Sequence, residues 1–140
     1  MVGLVVAMHG HLASALLETA GQVYGPIHAA EAIDVLPSEA PDALAGRLKA
    51  AIDRVESGQG VLILVDLLGG TPWNRAVGLM RQRKVEVLAG ANLPMLIKFA
   101  GVRAGGDLLA LARDLAGYGR EHMEIASDKL GLAATAEERR

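Results

Sequence analysis

The chain has no cysteine, and aromatic residues make up only 3% of its 140 residues. The absence of cysteine excludes disulfides, thiolate catalysis, and zinc or iron–sulfur sites built on cysteine. So few aromatic side chains argue against the base-stacking platforms of proteins that bind single-stranded nucleic acids. The core must therefore be built from aliphatic side chains and methionine.

A charge excess of either sign is also missing. The 14 Lys and Arg residues offset 16 Asp and Glu residues, for a net charge of −2. No basic stripe is present, so we expect no nucleic-acid partner. No apolar run approaches the ~18 residues that a membrane-spanning helix needs, and the N-terminus lacks the basic flank of a signal peptide. These features predict a single cytoplasmic domain over residues 1–130, followed by a polar tail over residues 131–140.

Short apolar runs alternate with amphipathic segments along the chain. Strands are predicted at residues 2–8, 32–36, 61–65 and 85–89, and helices at 13–24, 42–55, 71–83, 93–100 and from 107 onward. Residues 123–126 are either a short edge strand or a continuation of the last helix. The alternation predicts an α/β fold, a flavodoxin-like open parallel sheet of order 2-1-3-4 with helices on both faces.

Two polar residues end central strands of this predicted sheet. His9 follows the first apolar run and Asp66 follows the third. In the order 2-1-3-4 these strands are neighbours at the topological switch point, where ligands of open α/β sheets bind. A carboxylate that faces the Nδ1 atom of an imidazole fixes its tautomer and supports its positive charge. We therefore predict that His9 is a nucleophile oriented by Asp66. The alternative is a half-buried histidine satisfied by main-chain groups, with Asp66 capping the next turn.

Glycines and hydroxyl side chains beside this pair predict a phosphate-binding site. Gly10 lets the main chain pass close to a ligand. Gly69 and Gly70 precede Thr71, the predicted N-cap of a helix with proline at its first position. The Thr71 hydroxyl and the neighbouring amides could bind a phosphoryl group. Ser38, after the second strand, could supply a further donor, although simple helix capping explains Thr71 and Ser38 equally well.

Several common enzyme motifs are missing. The chain has no P-loop, no dinucleotide-binding Gly-x-Gly-x-x-Gly after the first strand, and no Gly-x-Ser-x-Gly elbow. His9, His11 and Asp66 would make a weak metal site for a hydrolase, since zinc needs three or four ligands. We therefore expect no metal and no cofactor. A histidine nucleophile beside an anion site suits the transfer of a phosphoryl group between proteins, which requires mainly positioning and charge stabilisation.

Three sequence blocks carry a resemblance to a known family. They are Met-His-Gly at residues 8–10, Leu-Val-Asp-Leu-Leu-Gly-Gly-Thr-Pro-Trp-Asn at 64–74, and Ala-Gly-Ala-Asn-Leu-Pro-Met-Leu at 89–96. Together they resemble the IIA component of the mannose-type (mannose/fructose/sorbose) bacterial phosphoenolpyruvate:sugar phosphotransferase system. The resemblance covers about the whole chain to residue 130. Where the family often has serine this chain has Thr71, and Leu68 stands where the family has tryptophan.

The resemblance implies a phosphohistidine intermediate on His9, oriented by Asp66. The donor would be the phosphorylated histidine-containing carrier protein of the system. The acceptor would be a IIB component, expected here as a separate protein. The protein would associate with the membrane only through the permease complex. The family also implies a homodimer in which an antiparallel C-terminal edge strand crosses to the partner's sheet. Two alternatives remain open: the phosphoryl-transfer subunit of a dihydroxyacetone kinase, and a non-catalytic, flavodoxin-like regulatory module that binds an anion.

Overall fold

Four parallel strands form one sheet in the order β2-β1-β3-β4 in the computed structural model, which describes residues 1–132. The strands are β1 (Gly3–His9), β2 (Ala30–Val35), β3 (Val61–Val65) and β4 (Val85–Leu88). The predicted fold class and strand order are confirmed. Most of the predicted polar tail, residues 133–140, lies outside the described part of the chain.

Helices cover both faces of the sheet. They are α1 (Leu12–Tyr24), α2 (Pro41–Val55), α3 (Thr71–Val77), α4 (Leu93–Val102), α5 (Leu108–Glu121) and α6 (Ala126–Leu130). One core cluster joins α2 and α3 to the sheet, and the other joins α1, α4 and α5 to its opposite face. Between residues 1 and 132, no helix is both long and apolar enough to cross a membrane.

The central strand β1 is buried on both faces up to its last residue. Val5 and Ala7 point into one core cluster, whereas Leu4, Val6 and Met8 point into the other. This alternation follows from the two-residue period of a strand, and burial on both sides explains why the run is continuously apolar. β1 thus delivers its polar terminal residue to the surface from a rigid, fully packed element.

Two predicted element boundaries were wrong. The third helix ends at Val77 rather than near residue 83, because tighter main-chain bonds follow it, from Leu79 to Ala76 and from Met80 to Val77. Gly78, a poor helix former, lies at this point. Residues 123–126 form neither a strand nor an extension of α5, which ends at Glu121. A strand there would need a neighbouring strand for its main-chain hydrogen bonds, and within residues 1–132 none pairs with this segment.

Gly3 marks a close approach between β1 and the end of α2, and its replacement tests this packing. A Cβ atom at Gly3 would overlap the main-chain oxygen of Val55. Because that oxygen cannot move without shifting the helix, we expect Gly3→Ala to lower the free energy of unfolding by about 1–3 kcal/mol, measured by urea denaturation. The matched control is Gly46→Ala within α2, where a Cβ meets nothing within 4 Å. Equal stability of the Gly3→Ala and wild-type proteins would contradict this contact.

Candidate active site

The imidazole of His9 and the carboxylate of Asp66 meet at the carboxyl edge of the sheet. The Nδ1 atom of His9 lies 3.1 Å from Oδ1 and 3.0 Å from Oδ2 of Asp66. The main-chain N–H of His9 also donates to Oδ2 of Asp66, at 3.1 Å. The predicted pairing through Nδ1 is therefore present, and it is reinforced by a main-chain bond that the sequence analysis did not foresee.

Hydrogen bonds keep Asp66 ionised. Burial alone would raise the pKa of this carboxyl, but the bonds from the ring and main chain of His9 outweigh burial and lower the pKa below its usual range. An ionised carboxylate only accepts hydrogen bonds, so Nδ1 carries the proton. In the neutral ring the lone pair then lies on Nε2. The imidazole is 44% exposed and the Asp66 side chain 13% exposed, so the reactive part of the pair faces solvent.

The glycine loop after β3 packs against the outer edge of the imidazole. A Cβ atom at Gly70 would lie 3.0 Å from Cε1 and 3.5 Å from Nε2 of His9. Gly69, with φ of +82°, turns the main chain into this position. Only a residue without a side chain leaves the ring unobstructed at Gly70. The structure thus places Gly70 next to the ring atom that carries the lone pair, and Gly69 in the turn that leads to it.

A shallow cavity of about 250 Å³ opens beside His9. It is lined by His9, Gly10, Val35, Leu36, Pro37, Glu39 and Thr71. Gly10 and Thr71 were predicted at this site, whereas Ser38 is not among the lining residues and its two chain neighbours are. Glu39 was missed because nothing in the local sequence marks a carboxylate in a turn as part of a site. Its charge is paired with Arg47, whose Nη1 donates to both Glu39 oxygens at 2.6 Å.

Thr71 is not the N-cap of α3, contrary to the sequence analysis. The cap is Gly70, whose carbonyl accepts the first helical bond from the Asn74 N–H at 2.9 Å. Thr71 occupies the first helical position instead, and its side chain is not used for capping. Asn74, which was given no role, also donates from Nδ2 to the Gly69 carbonyl at 3.3 Å. This bond ties the glycine loop to the helix that follows it.

The N-terminus of α1 already has an anionic partner. Asp34 of β2 accepts from the Ser14 N–H at 3.0 Å and from the Ser14 hydroxyl. The His11 ring also lies near this carboxylate, 3.6 Å from Oδ2 of Asp34. Burial alone would raise the pKa of Asp34, but the bonds from Ser14, with help from His11, lower it. Asp34 was not predicted, because a carboxylate that caps a helix from a strand 20 residues away in sequence leaves no local pattern.

Asp34 makes the stability of the protein depend on pH. Its folded-state pKa is lowered, so its contribution is complete above the unfolded pKa of about 3.9 and is lost as the pH falls through the folded value. We expect Asp34→Ala to cost about 1 kcal/mol at pH 7, as for a lost helix cap, and progressively less below pH ~4. Urea denaturation at several pH values measures both effects. Asp114→Ala, at an exposed aspartate, is the control. If the free energy of unfolding lost in Asp34→Ala stayed constant down to pH ~2, the assignment would be contradicted.

The weak metal site proposed from sequence does not assemble. Its third member, His11, faces Asp34 rather than Asp66. Across residues 1–132, no group of three or more His, Cys, Asp or Glu residues could hold a metal ion. The geometry around His9 is therefore that of a single oriented imidazole.

Comparison with known protein families identifies the family of this chain. Residues 3–116 match the family model EIIA-man, described as "PTS system fructose IIA component". The chain belongs to this family. It is a IIA component of the mannose type of the phosphotransferase system (PTS), as its three sequence blocks suggested, and hence a phosphotransferase component.

Two curated proteins illustrate the relationship. The chain is 27% identical over 137 residues to the "PTS system fructose-specific EIIA component" of Bacillus subtilis (strain 168), a match covering 97% of this chain and 94% of that protein. It is 32% identical over 133 residues to the "PTS system mannose-specific EIIAB component" of Escherichia coli (strain K12), which covers 91% of this chain. The chain spans only 40% of that longer relative.

Solved structures of other IIA proteins share the fold. The mannose/sorbose-specific IIA subunit from Enterococcus faecalis superimposes with a TM-score of 0.80 at 26% identity, covering 89% of this chain and 93% of that one. A IIA protein associated with the fucose utilization operon of Streptococcus pneumoniae gives a TM-score of 0.81 at 25% identity, covering 93% of this chain and 99% of that one.

Proposed function

We propose that this EIIA-man protein is a phosphocarrier of sugar uptake or of its regulation, with His9 as the acceptor. The donor is the phosphorylated histidine-containing carrier protein, and the acceptor is a IIB component. The observation that carries the proposal is the contact of His9 Nδ1 with both Asp66 oxygens, at 3.0 and 3.1 Å. This contact leaves Nε2 as the nucleophile of an oriented ring.

The transfer step uses only the two imidazoles and the phosphoryl group. The Nε2 lone pair of His9 attacks the phosphorus, while the bond from phosphorus to the donor imidazole breaks and its electrons return to the donor nitrogen. The attacking ring gains positive charge as its bond forms. Asp66 stabilises that charge through the proton that remains on Nδ1. Transfer to the IIB component is the same step with the roles reversed.

The lining of the cavity beside His9 supports a transient rather than a permanent attachment of a phosphoryl group. Thr71 and the glycine loop provide neutral donors for phosphoryl oxygens. None of the seven lining residues is lysine or arginine, and the one lining carboxylate, Glu39, is neutralised by Arg47. A phosphoryl group on His9 is thus oriented without being fixed by an ion pair, as a carrier requires.

The other candidate functions have less support. The dihydroxyacetone kinase subunit is disfavoured because the match is to a IIA family model. A metal-dependent hydrolase lacks its ligand set within residues 1–132. A regulatory module that only binds an anion would not need an Nδ1 proton directed at a carboxylate. The phosphorylation experiment separates this last possibility from a carrier.

The decisive experiment is phosphorylation of the intact protein. We expect incubation with phosphoenolpyruvate, enzyme I and the histidine-containing carrier protein to add one phosphoryl group, detected by intact mass. The adduct should be labile in acid and stable in base, as a phosphohistidine is, and peptide mapping should locate it on His9. Omitting enzyme I is the control. No addition with cognate partners would reject the carrier function in favour of an anion-binding module.

The proposal includes a cytoplasmic location and a homodimer. Four apolar side chains near the end of the described chain are exposed by 60–71%: Met123, Ile125, Leu130 and Leu132. Strand β4 lies at the edge of the sheet, where a strand from a second copy could pair. Light scattering at micromolar concentration should therefore report a dimer, and Ile125→Asp should weaken it. A monomeric wild-type protein would contradict this part of the proposal.

A further inference from the structure

A second cavity lies at the opposite edge of the sheet from His9. It has a volume of about 420 Å³ and is enclosed by the N-terminus, the end of α1 with the loop before β2, and the end of α4. Its lining includes Tyr24, Ile27, His28, Ala100, Gly101 and Arg103. None of these residues belongs to the proposed phosphoryl-transfer site.

The lining contains a buried cation. Arg103 is only 6% exposed, and its guanidinium lies 4.8 Å from the centroid of the Phe99 ring. It donates from Nε to the Val2 carbonyl at 3.0 Å, from Nη2 to Val2 and Ala29 at 2.8 and 2.9 Å, and from Nη1 to the His28 carbonyl. A guanidinium has five N–H groups, so one N–H on Nη1 is not used in these four bonds.

Within residues 1–132, the charge of Arg103 has no anionic partner. No acidic side chain forms an ion pair with it among residues 1–132, and none lines the cavity. Burial lowers the pKa of this guanidinium, and the nearby Tyr24 phenol offsets the shift only in part. By contrast, the lining of the cavity between α4 and α5 contains two carboxylates, Asp107 and Asp114, besides its cation, Lys98. Since an uncompensated buried charge is costly, a ligand that brings a negative charge would be favoured here.

We propose that this cavity binds a small monocarboxylate with an apolar body. The carboxylate would meet the remaining N–H of Arg103 together with the Tyr24 hydroxyl and the His28 ring at the mouth. The apolar body would lie against Ile27 and Ala100. This lining is mostly aliphatic, which favours a carboxylic acid with a hydrocarbon chain or ring over inorganic phosphate.

The test uses 3-phenylpropionate and isovalerate as probes. Each is titrated into the isotopically labelled full chain, and binding is followed by NMR. We expect shifts at the Arg103 Nε–H and the neighbouring amides, with a dissociation constant of about 0.1–1 mM for the better probe. The neutral analogue 3-phenylpropanol should bind at least about tenfold more weakly, and inorganic phosphate should not compete. Absence of binding by both acids up to ~10 mM, or equal binding of the alcohol, would overturn the proposal.

A matched pair of glycine variants locates the site without removing Arg103. A Cβ at Gly101, within α4, would lie 3.9 Å from Tyr24 Cε2, so Gly101→Leu fills the cavity while remaining compatible with the helix. Gly46→Leu, in α2, places the same side chain where a Cβ meets nothing within 4 Å. We expect Gly101→Leu to weaken acid binding by about tenfold or more and Gly46→Leu to leave it unchanged. Unaltered binding by Gly101→Leu would place the probe elsewhere and overturn the assignment.

Discussion

The His9→Ala protein is expected to take up no phosphoryl group under conditions that fully phosphorylate the wild type. His9 carries the ring nitrogen that faces the glycine loop, and no other imidazole in the described chain faces Asp66. The expected loss is therefore complete rather than partial. Intact mass after incubation with phosphoenolpyruvate, enzyme I and the histidine-containing carrier protein measures it directly.

Two further variants separate chemistry from folding in this experiment. His11→Ala removes a nearby imidazole that is 84% exposed and should retain full uptake. His9→Gln keeps an N–H donor for Asp66 and should fold like the wild type while remaining unphosphorylated, as checked by circular dichroism and urea denaturation. Wild-type uptake by either His9 variant would show that the acceptor is another residue.

Asp66→Asn should slow transfer strongly without unfolding the protein. The amide keeps the shape of the side chain but loses its charge, and its NH₂ group can donate to Nδ1 of His9. That bond favours the tautomer with its proton on Nε2, which removes the nucleophilic lone pair. Loss of the corresponding aspartate in a Ser-His-Asp triad costs about 10⁴-fold, so we expect a decrease of about 10²–10⁴-fold in the transfer rate. Rapid-quench kinetics of the first transfer measures it.

The matched control for this variant is Asp107→Asn. Asp107 caps α5 by accepting from the Ala110 N–H at 2.9 Å, and asparagine is an equally good cap. The control should therefore transfer at the wild-type rate. Because the pKa of Asp66 is lowered, its carboxylate in the wild-type protein should still stabilise the His9 ring as the pH falls to the usual pKa range of an aspartate. This stabilisation should be lost only below that range. A wild-type rate for Asp66→Asn would contradict the role of the pair.

The sequence predicts the core of the site because simple rules govern it. Two continuously apolar runs indicate strands buried on both faces, and the carboxyl ends of neighbouring parallel strands meet at one edge. His9 and Asp66 therefore had to approach each other once the order of the strands was right. The helices α2 and α5 were equally predictable, because Leu44, Leu48 and Leu115 follow a helical period and are buried.

What could not be predicted depends on contacts between distant segments. Asp34 caps α1 from a neighbouring strand, and a cap from 20 residues away leaves no local pattern. Glu39 lines the cavity from the turn between β2 and α2, and a carboxylate in a turn has no distinctive local pattern. The first position of α3 was misassigned by one residue, since glycine and threonine both cap helices well. The segment near residue 123 stayed ambiguous because strand formation depends on a pairing partner.

The double role of one oxygen atom gives His9 a built-in spectroscopic reporter. Oδ2 of Asp66 contacts both the ring Nδ1 and the main-chain N–H of His9, at 3.0 and 3.1 Å. Any change in the charge or tilt of the imidazole must therefore redistribute the electron density that the amide proton senses. The ¹H and ¹⁵N resonances of that one amide should report the state of the ring, so a single cross-peak should distinguish the phosphorylated from the unphosphorylated protein.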